Sequence, residues 1–128
     1  MKVDKPKSFK CATFAASPLP LRHLATGDFD GTLQLWDLEK SENPVYSAKA
    51  HSSIINAIDG VGGLNTGQGP AELVTSGRDG VVKIWDVRQK DSAVAVIEPE
   101  QGQRHYDCWS VAFGNAHSSN DRMVINLL

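Results

Sequence analysis

At 128 residues the chain has the length of one ordinary domain. A hydrophobic share of 41%, a charged share of 22% and a net charge of −2 describe a soluble globular protein and argue against a basic nucleic-acid binder. The apolar runs fall far short of a bilayer span, and the basic start "MKVDKPKSFK" lacks the apolar stretch of a signal peptide. Neither a membrane nor a nucleic-acid partner is expected, and the expected location is cytoplasmic.

In chain order, the first strand signal is "KCATFAAS" (10–17), followed by "HLATG". "DFDG" holds the Asp-Gly of a tight turn, because glycine takes positive φ at low cost. "TLQLWDL" then alternates, with Leu33, Leu35 and Asp37 on one face and Thr32, Gln34 and Trp36 on the other. "PVYSAKA" (44–50) completes a set of four strands. A second set follows: "SIINAIDG" (53–60), "ELVTS", the turn "GRDG", "VVKIWDV" and "AVAVIEP" (93–99). A third begins at "CWSVAFGN" (108–115), with "MVINLL" as its second strand.

The first two sets are copies. A shift of 49 residues superposes Leu24 on Leu73, Thr26 on Thr75, Asp30 on Asp79, Gly31 on Gly80, Trp36 on Trp85 and Asp37 on Asp86. Phe113 lies 99 residues after Phe14, and Met123 lies 99 after Leu24. Four short strands recurring at this spacing fit the blades of an all-β propeller.

Asp-Gly followed by a strand ending in Trp-Asp, with Ala-His upstream, resembles the WD40 repeat. The resemblance covers nearly the whole chain. It implies a partial WD40 β-propeller with a first blade at 9–50, a second at 53–99 and a truncated third at 108–128. Residues 1–8 are then expected as the outer strand of a missing blade. The resemblance further implies a polar network inside each blade. In the second it comprises His51, Thr75, Asp79 and Trp85. In the first it comprises Thr26, Asp30 and Trp36, because "VDKPKSF" has no histidine to offer. The first blade is therefore expected to be the looser. These residues are read as structural: a catalytic His51–Asp79 dyad would need a nucleophile, and Thr75 is claimed by the network.

Other signals are weaker. "GVGGLNTGQG" (60–69) has the spacing of a phosphate loop, but Gln68 and Gly69 stand where a lysine and a hydroxyl are required, so it reads as a surface loop. His23, His51, His105 and His117 show no metal-ligand spacing. Cys11 and Cys108 read as reduced, packed thiols. No metal and no cofactor is expected. Arg104 and Tyr106 read as part of a solvated linker, and Lys2, Lys5, Lys7 and Lys10 as a solvated strand edge.

The function expected is a non-enzymatic protein-interaction scaffold. Segments such as "PVYSAKAH", "IINAIDGVGGL" and "DCWSVAFGNA" resemble a cytoplasmic WD-repeat adaptor for axonemal dynein assembly. That implies chaperone-complex and dynein subunits as partners. The alternative is a propeller that reads a small ligand or a modified peptide tail, with Phe29 the one exposed aromatic foreseen. Two blades and the start of a third do not close a ring of about four to eight. The sequence is thus expected to be a fragment, a truncated isoform or an incomplete gene model, and marginal in solution unless it oligomerises.

Overall fold

The computed structural model describes residues 8–17, 23–40, 42–62, 70–89, 92–102, 104, 106–114 and 123–127. Among these residues every regular element is a strand: β1 (Phe9–Thr13), β2 (His23–Asp28), β3 (Thr32–Asp37), β4 (Tyr46–Lys49), β5 (Ile55–Val61), β6 (Glu72–Gly77), β7 (Val82–Trp85), β8 (Ala95–Ile97), β9 (Ser110–Gly114) and β10 (Met123–Leu127). They form three antiparallel sheets, ordered β1-β2-β3-β4, β5-β6-β7-β8 and β10-β9. Each of the first two meanders outward from an inner strand, as a propeller blade does. The outer strand expected within residues 1–8 lies, apart from Ser8, outside the described residues. So does most of the glycine-rich loop, along with His105 and His117.

The alternation in β3 and β7 is explained by what each face meets. Leu33 and Leu35 are buried on one side of β3, while Trp36 is buried on the other. In β7, Val82 and Trp85 are likewise buried. Middle strands packed on both faces read as nearly continuous apolar runs.

The Asp-Gly turns carry the positive φ that only glycine adopts cheaply, +84° at Gly31 and +79° at Gly80. Gly31 has a second constraint. A Cβ there would fall 2.2 Å from the His51 carbonyl oxygen and 2.6 Å from that of Ser53. The backbone leaving β4 passes directly over this turn, and the Gly31 carbonyl accepts the Ala50 and His51 amides at 2.9 and 3.0 Å.

The apolar core lies between blades. Ala25, Leu33 and Leu35 from the first sheet bury with Ile55, Leu73 and Trp85 from the second. A smaller cluster joins Val74 and Val82 of the second sheet to Cys108 and Val111 at the third. Val74 and Val82 stand 49 residues after Ala25 and Leu33. Cys108 therefore fills the place that Ile55 fills one blade earlier.

The inner strands are also tied by polar contacts. Lys10 Nζ donates to the Asn56 carbonyl at 3.4 Å, and Asn56 Nδ2 donates to the Cys108 carbonyl at 3.0 Å. The Phe113 amide donates to Asp59 Oδ2 at 2.9 Å.

One expectation needs correcting. Five residues separate Ile55 from Gly60 and Cys108 from Phe113. Gly60 pairs with Leu73, and Phe113 pairs with Val124. The register thus puts Val124, not Met123, at the place of Leu24 and Leu73. The chain between β9 and β10 holds one residue more than equal spacing implied.

Candidate functional site

The second blade assembles its polar residues from three places. Thr75 lies on β6, Trp85 ends β7, and Asp79 sits in the turn between them. His51 arrives from outside, on the segment that leaves β4. Its side chain is fully buried. Nδ1 lies 3.0 and 3.1 Å from the two Asp79 carboxylate oxygens, and Nε2 lies 2.8 Å from Thr75 Oγ1. Trp85 Nε1 donates to the same hydroxyl at 3.0 Å.

A carboxylate can only accept, so His51 Nδ1–H donates to Asp79, and an indole N–H can only donate, so Thr75 Oγ1 accepts from Trp85. With the buried ring neutral, Nε2 carries no proton and accepts from the Thr75 hydroxyl. The imidazole is neutral in this arrangement. Burial pushes its pKa below the usual 6.5, and this outweighs the opposing pull of the Asp79 charge. Asp79 also ties the turn: Oδ1 accepts the Val81 amide and Oδ2 the Ser52 amide, both at 3.1 Å.

The first blade solves the same problem differently. Trp36 Nε1 donates to Thr26 Oγ1 at 3.1 Å, matching its counterpart. Thr26 in turn donates to the Gln34 carbonyl at 3.5 Å. The expectation placed Asp30 in this network, and the structure does not. The Asp30 side chain is 55% exposed, with the Lys49 ammonium 3.8 Å from its Oδ2. Lys49 also reaches the Asp30 carbonyl.

The carboxylate that ties the first turn belongs to Asp28, which is fully buried and accepts the Asp30 and Thr32 amides at 2.9 Å each. Its counterpart 49 residues on is Gly77. A Cβ at Gly77 would fall 2.5 Å from both His51 Nδ1 and Asp79 Oδ1. An acid at that place and an imidazole in the second blade's position therefore exclude one another. Asp28 was missed because the repeat aligns Asp30 with Asp79. The signal was present: "DFD" in one copy faces "GRD" in the other.

The aspartates of the two Trp-Asp pairs close the next turn outward. Asp37 Oδ1 accepts the Glu39 amide at 2.9 Å, and Asp86 Oδ1 accepts the Arg88 amide at 3.0 Å. The Arg88 guanidinium, 2.6 Å from Asp86 Oδ2, holds that carboxyl below the usual range. Such side-chain-to-backbone turns are what aspartate favours.

Both nitrogens of His51 and the hydroxyl of Thr75 are engaged within the blade. The chemistry available to this cluster is therefore attachment. Among the described residues no group of three or more His, Cys, Asp and Glu could hold a metal. The residues a partner can reach lie elsewhere. Phe29 is 47% exposed, and Tyr106 and Trp109 exceed it at 57% and 64%. Exposed aromatics are thus not confined to Phe29, as the sequence reading had it.

The description "WD domain, G-beta repeat" matches residues 14–37 and 42–86, more than half of the chain. The chain belongs to the WD40 repeat family. The matched segments contain both Trp-Asp pairs and the His51–Thr75–Asp79–Trp85 cluster. Among curated proteins, this WD40 chain is 57% identical over 123 residues to human dynein axonemal assembly factor 10. It is 53% identical over 124 residues to the protein of that name from Chlamydomonas reinhardtii. These alignments cover 96% and 97% of the chain but 34% and 35% of the relatives, so it spans about a third of their length. Among solved structures, the β-propeller domain of Cps50 (Swd1) from Myceliophteria thermophila superposes with a TM-score of 0.65 at 17% identity. That match covers 87% of this chain and 30% of the other, and it shows the fold alone.

Proposed function

We propose that this chain acts as a non-enzymatic protein-interaction scaffold in the assembly of axonemal dyneins, working in the cytoplasm and presenting blade edges and loops to chaperone-complex and dynein subunits. The observation that carries this reading is the 57% identity, over 96% of the chain, to a relative named as a dynein axonemal assembly factor. The blade chemistry agrees with it. The His–Thr–Trp–Asp groups are consumed in holding the sheets, leaving exposed apolar side chains such as Trp109 and Ile125 as the chemistry on offer.

Because the chain matches a third of its relatives, the test grafts it into a full-length one. The matching segment of the Chlamydomonas protein is replaced by residues 1–128, and the chimera is introduced into cells lacking that protein. Restored outer-arm and inner-arm dyneins on axonemes, with chaperone and dynein subunits recovered on the tagged chimera, support the reading. A chimera that accumulates normally yet restores no dynein and recovers neither class of subunit overturns it. Recovery of modified histone tails alone would favour the ligand-reading alternative.

A further inference from the structure

The two complete blades treat their outermost strand in opposite ways. The 49-residue repeat sets Val45, Ser47 and Lys49 against Val94, Val96 and Glu98. β4 buries Tyr46 and shows Ser47 and Lys49 to solvent. Polar and lysine side chains of that kind are how an edge strand deters unwanted pairing. β8 has no such guard. Ala95, Val96 and Ile97 are all exposed, and the run "AVAVI" (93–97) carries neither a charge nor a proline. The outer edge of β8 pairs with no strand among the described residues.

A missing neighbour does not account for this exposure. Val96 pairs with Lys83, which lies between Val82 and Ile84 on β7. Val82 and Ile84 pack toward the third sheet, whereas Trp85 packs toward the first. Alternation therefore turns Lys83 and Val96 to the side of the first blade, and Ile97 to the other. The first blade is in place, yet Val96 is 50% exposed. Val45 tells the same story, at 51% with the second blade beside it. Val94 is its counterpart: the Val45 amide donates to the Leu35 carbonyl and the Val94 amide to the Ile84 carbonyl, each at 2.8 Å. The Lys83 ammonium sits 6.0 Å from the Trp85 ring centroid, on the inner side of its cross-strand partner. A propeller blade is a four-stranded sheet, so β8 remains an edge in a closed ring as well.

We propose that the outer edge of β8 is a docking site for an extended segment of a partner protein, which adds antiparallel to this edge, sets apolar side chains beside Val94 and Val96, and brings basic residues at its amino-terminal end to Glu98 and Glu100. Every pairing in this blade is antiparallel, and a fifth strand continues the pattern. Backbone bonds supply the affinity of such an addition, and alternate side chains supply the selection. Charge decides the occupant. Glu98 and Glu100 follow the strand directly and are both exposed, while the strand itself is neutral. In an antiparallel partner the residues that meet this end come first. A second copy offering its own β8 would bring no cation, since "AVAVIEPE" (93–100) contains none. The edge is built from this chain's own strands and does not depend on a role in dynein assembly.

The probe is a fluorescein-labelled peptide of two lysines followed by alternating valine and threonine, titrated into the full 128-residue chain and followed by anisotropy. Saturable binding is expected. Methylating every second backbone amide of the peptide should abolish it in one phase and spare it in the other, because the two edges of a strand alternate. Val96→Lys should weaken binding about tenfold, through loss of a valine contact and a charge on the edge. Val96→Ser, which copies the choice made at Ser47, should weaken it less, and both variants should keep the melting transition because the side chain is half-exposed. Ser47→Lys, one blade earlier, should leave binding unchanged. Glu98→Lys should weaken the peptide about threefold, as loss of an exposed ion pair does, and spare a peptide with serines in place of the lysines. No saturable binding overturns the proposal. So does binding indifferent to Val96→Lys, binding lost equally with Ser47→Lys, or binding that survives methylation in both phases. A dimer that excludes the peptide and is dispersed by Val96→Lys overturns it in favour of a second copy of the chain.

Discussion

Asp28 and Gly77 occupy the same place in successive blades and make opposite choices. Asp28 is buried and brings its own carboxylate to the turn amides of Asp30 and Thr32. Gly77 removes its side chain altogether, and the imidazole of His51 fills the gap on its way to Asp79. In both blades the amide of residue 32 or 81 meets a carboxylate oxygen. In one the acid comes from the strand end, in the other from the turn.

That difference separates two neighbouring aspartates. Asp28→Ala strips the acceptor from two turn amides in a buried site and should cost about 1–3 kcal/mol. Asp30→Ala removes a half-exposed acid with a screened lysine partner and should cost under about 0.5 kcal/mol. Urea denaturation of the two variants measures the contrast. Equal losses would return Asp30 to the network.

Thr75 is the junction of the second blade. Thr75→Val keeps the shape but deprives both Trp85 Nε1–H and His51 Nε2 of a partner. The loss should be about 2 kcal/mol or more, because each stranded buried group carries its own desolvation penalty. Thr75→Ser should recover most of it. Thr26→Val strands the indole alone and should cost less. A melting series of the three variants reports the order.

His51 makes the stability depend on pH in a definite direction. Its folded pKa lies below the ordinary 6.5 because burial disfavours the charged ring. Below about pH 6.5 the unfolded chain therefore binds a proton that the folded chain refuses. Stability should be fully present above that value and fall by up to about 1.4 kcal/mol per pH unit on acidification, until the lowered folded pKa is reached. Unfolding free energies at pH 7.5, 6.0 and 5.0 show the slope. A His51→Gln variant, weaker throughout, should lose this component of it.

Gly31 and Gly102 share a positive φ, +84° and +87°, but not their surroundings. Gly102→Ala meets nothing within 4 Å and should cost only the backbone strain of about 1–2 kcal/mol. Gly31→Ala must also displace the His51 and Ser53 carbonyls, which lie on backbone and cannot swing away. It should cost at least about twice as much as Gly102→Ala. Thermal melts of the pair test the separation.

The repeat was legible because it rests on rules that act locally. Asp-Gly announces a turn, period-two apolar runs announce strands, and Trp-Asp marks where the third strand ends. The His51–Thr75–Asp79–Trp85 set was legible through resemblance to a family, not through spacing: nothing local says that a histidine 28 residues from an aspartate touches it. Asp28 was hidden because alignment matches like with like, whereas the fold matched an acid against a missing side chain. The place of β10 was one residue off because spacing between copies ignores loop length. Cys108 standing in for Ile55 was invisible for the same reason, since only the shared wall of Val74 and Val82 reveals it.

His51 also sets how the chain comes apart. Its amide is held by Gly31 in one sheet while its ring is locked into the next. The two sheets thus hold a residue in common, like a link shared by adjoining segments of chain mail. Neither can fray without loosening the other. Nearest-neighbour coupling of this sort converts a row of modules into a single melting unit, so severing the joint should broaden the transition as well as lower it.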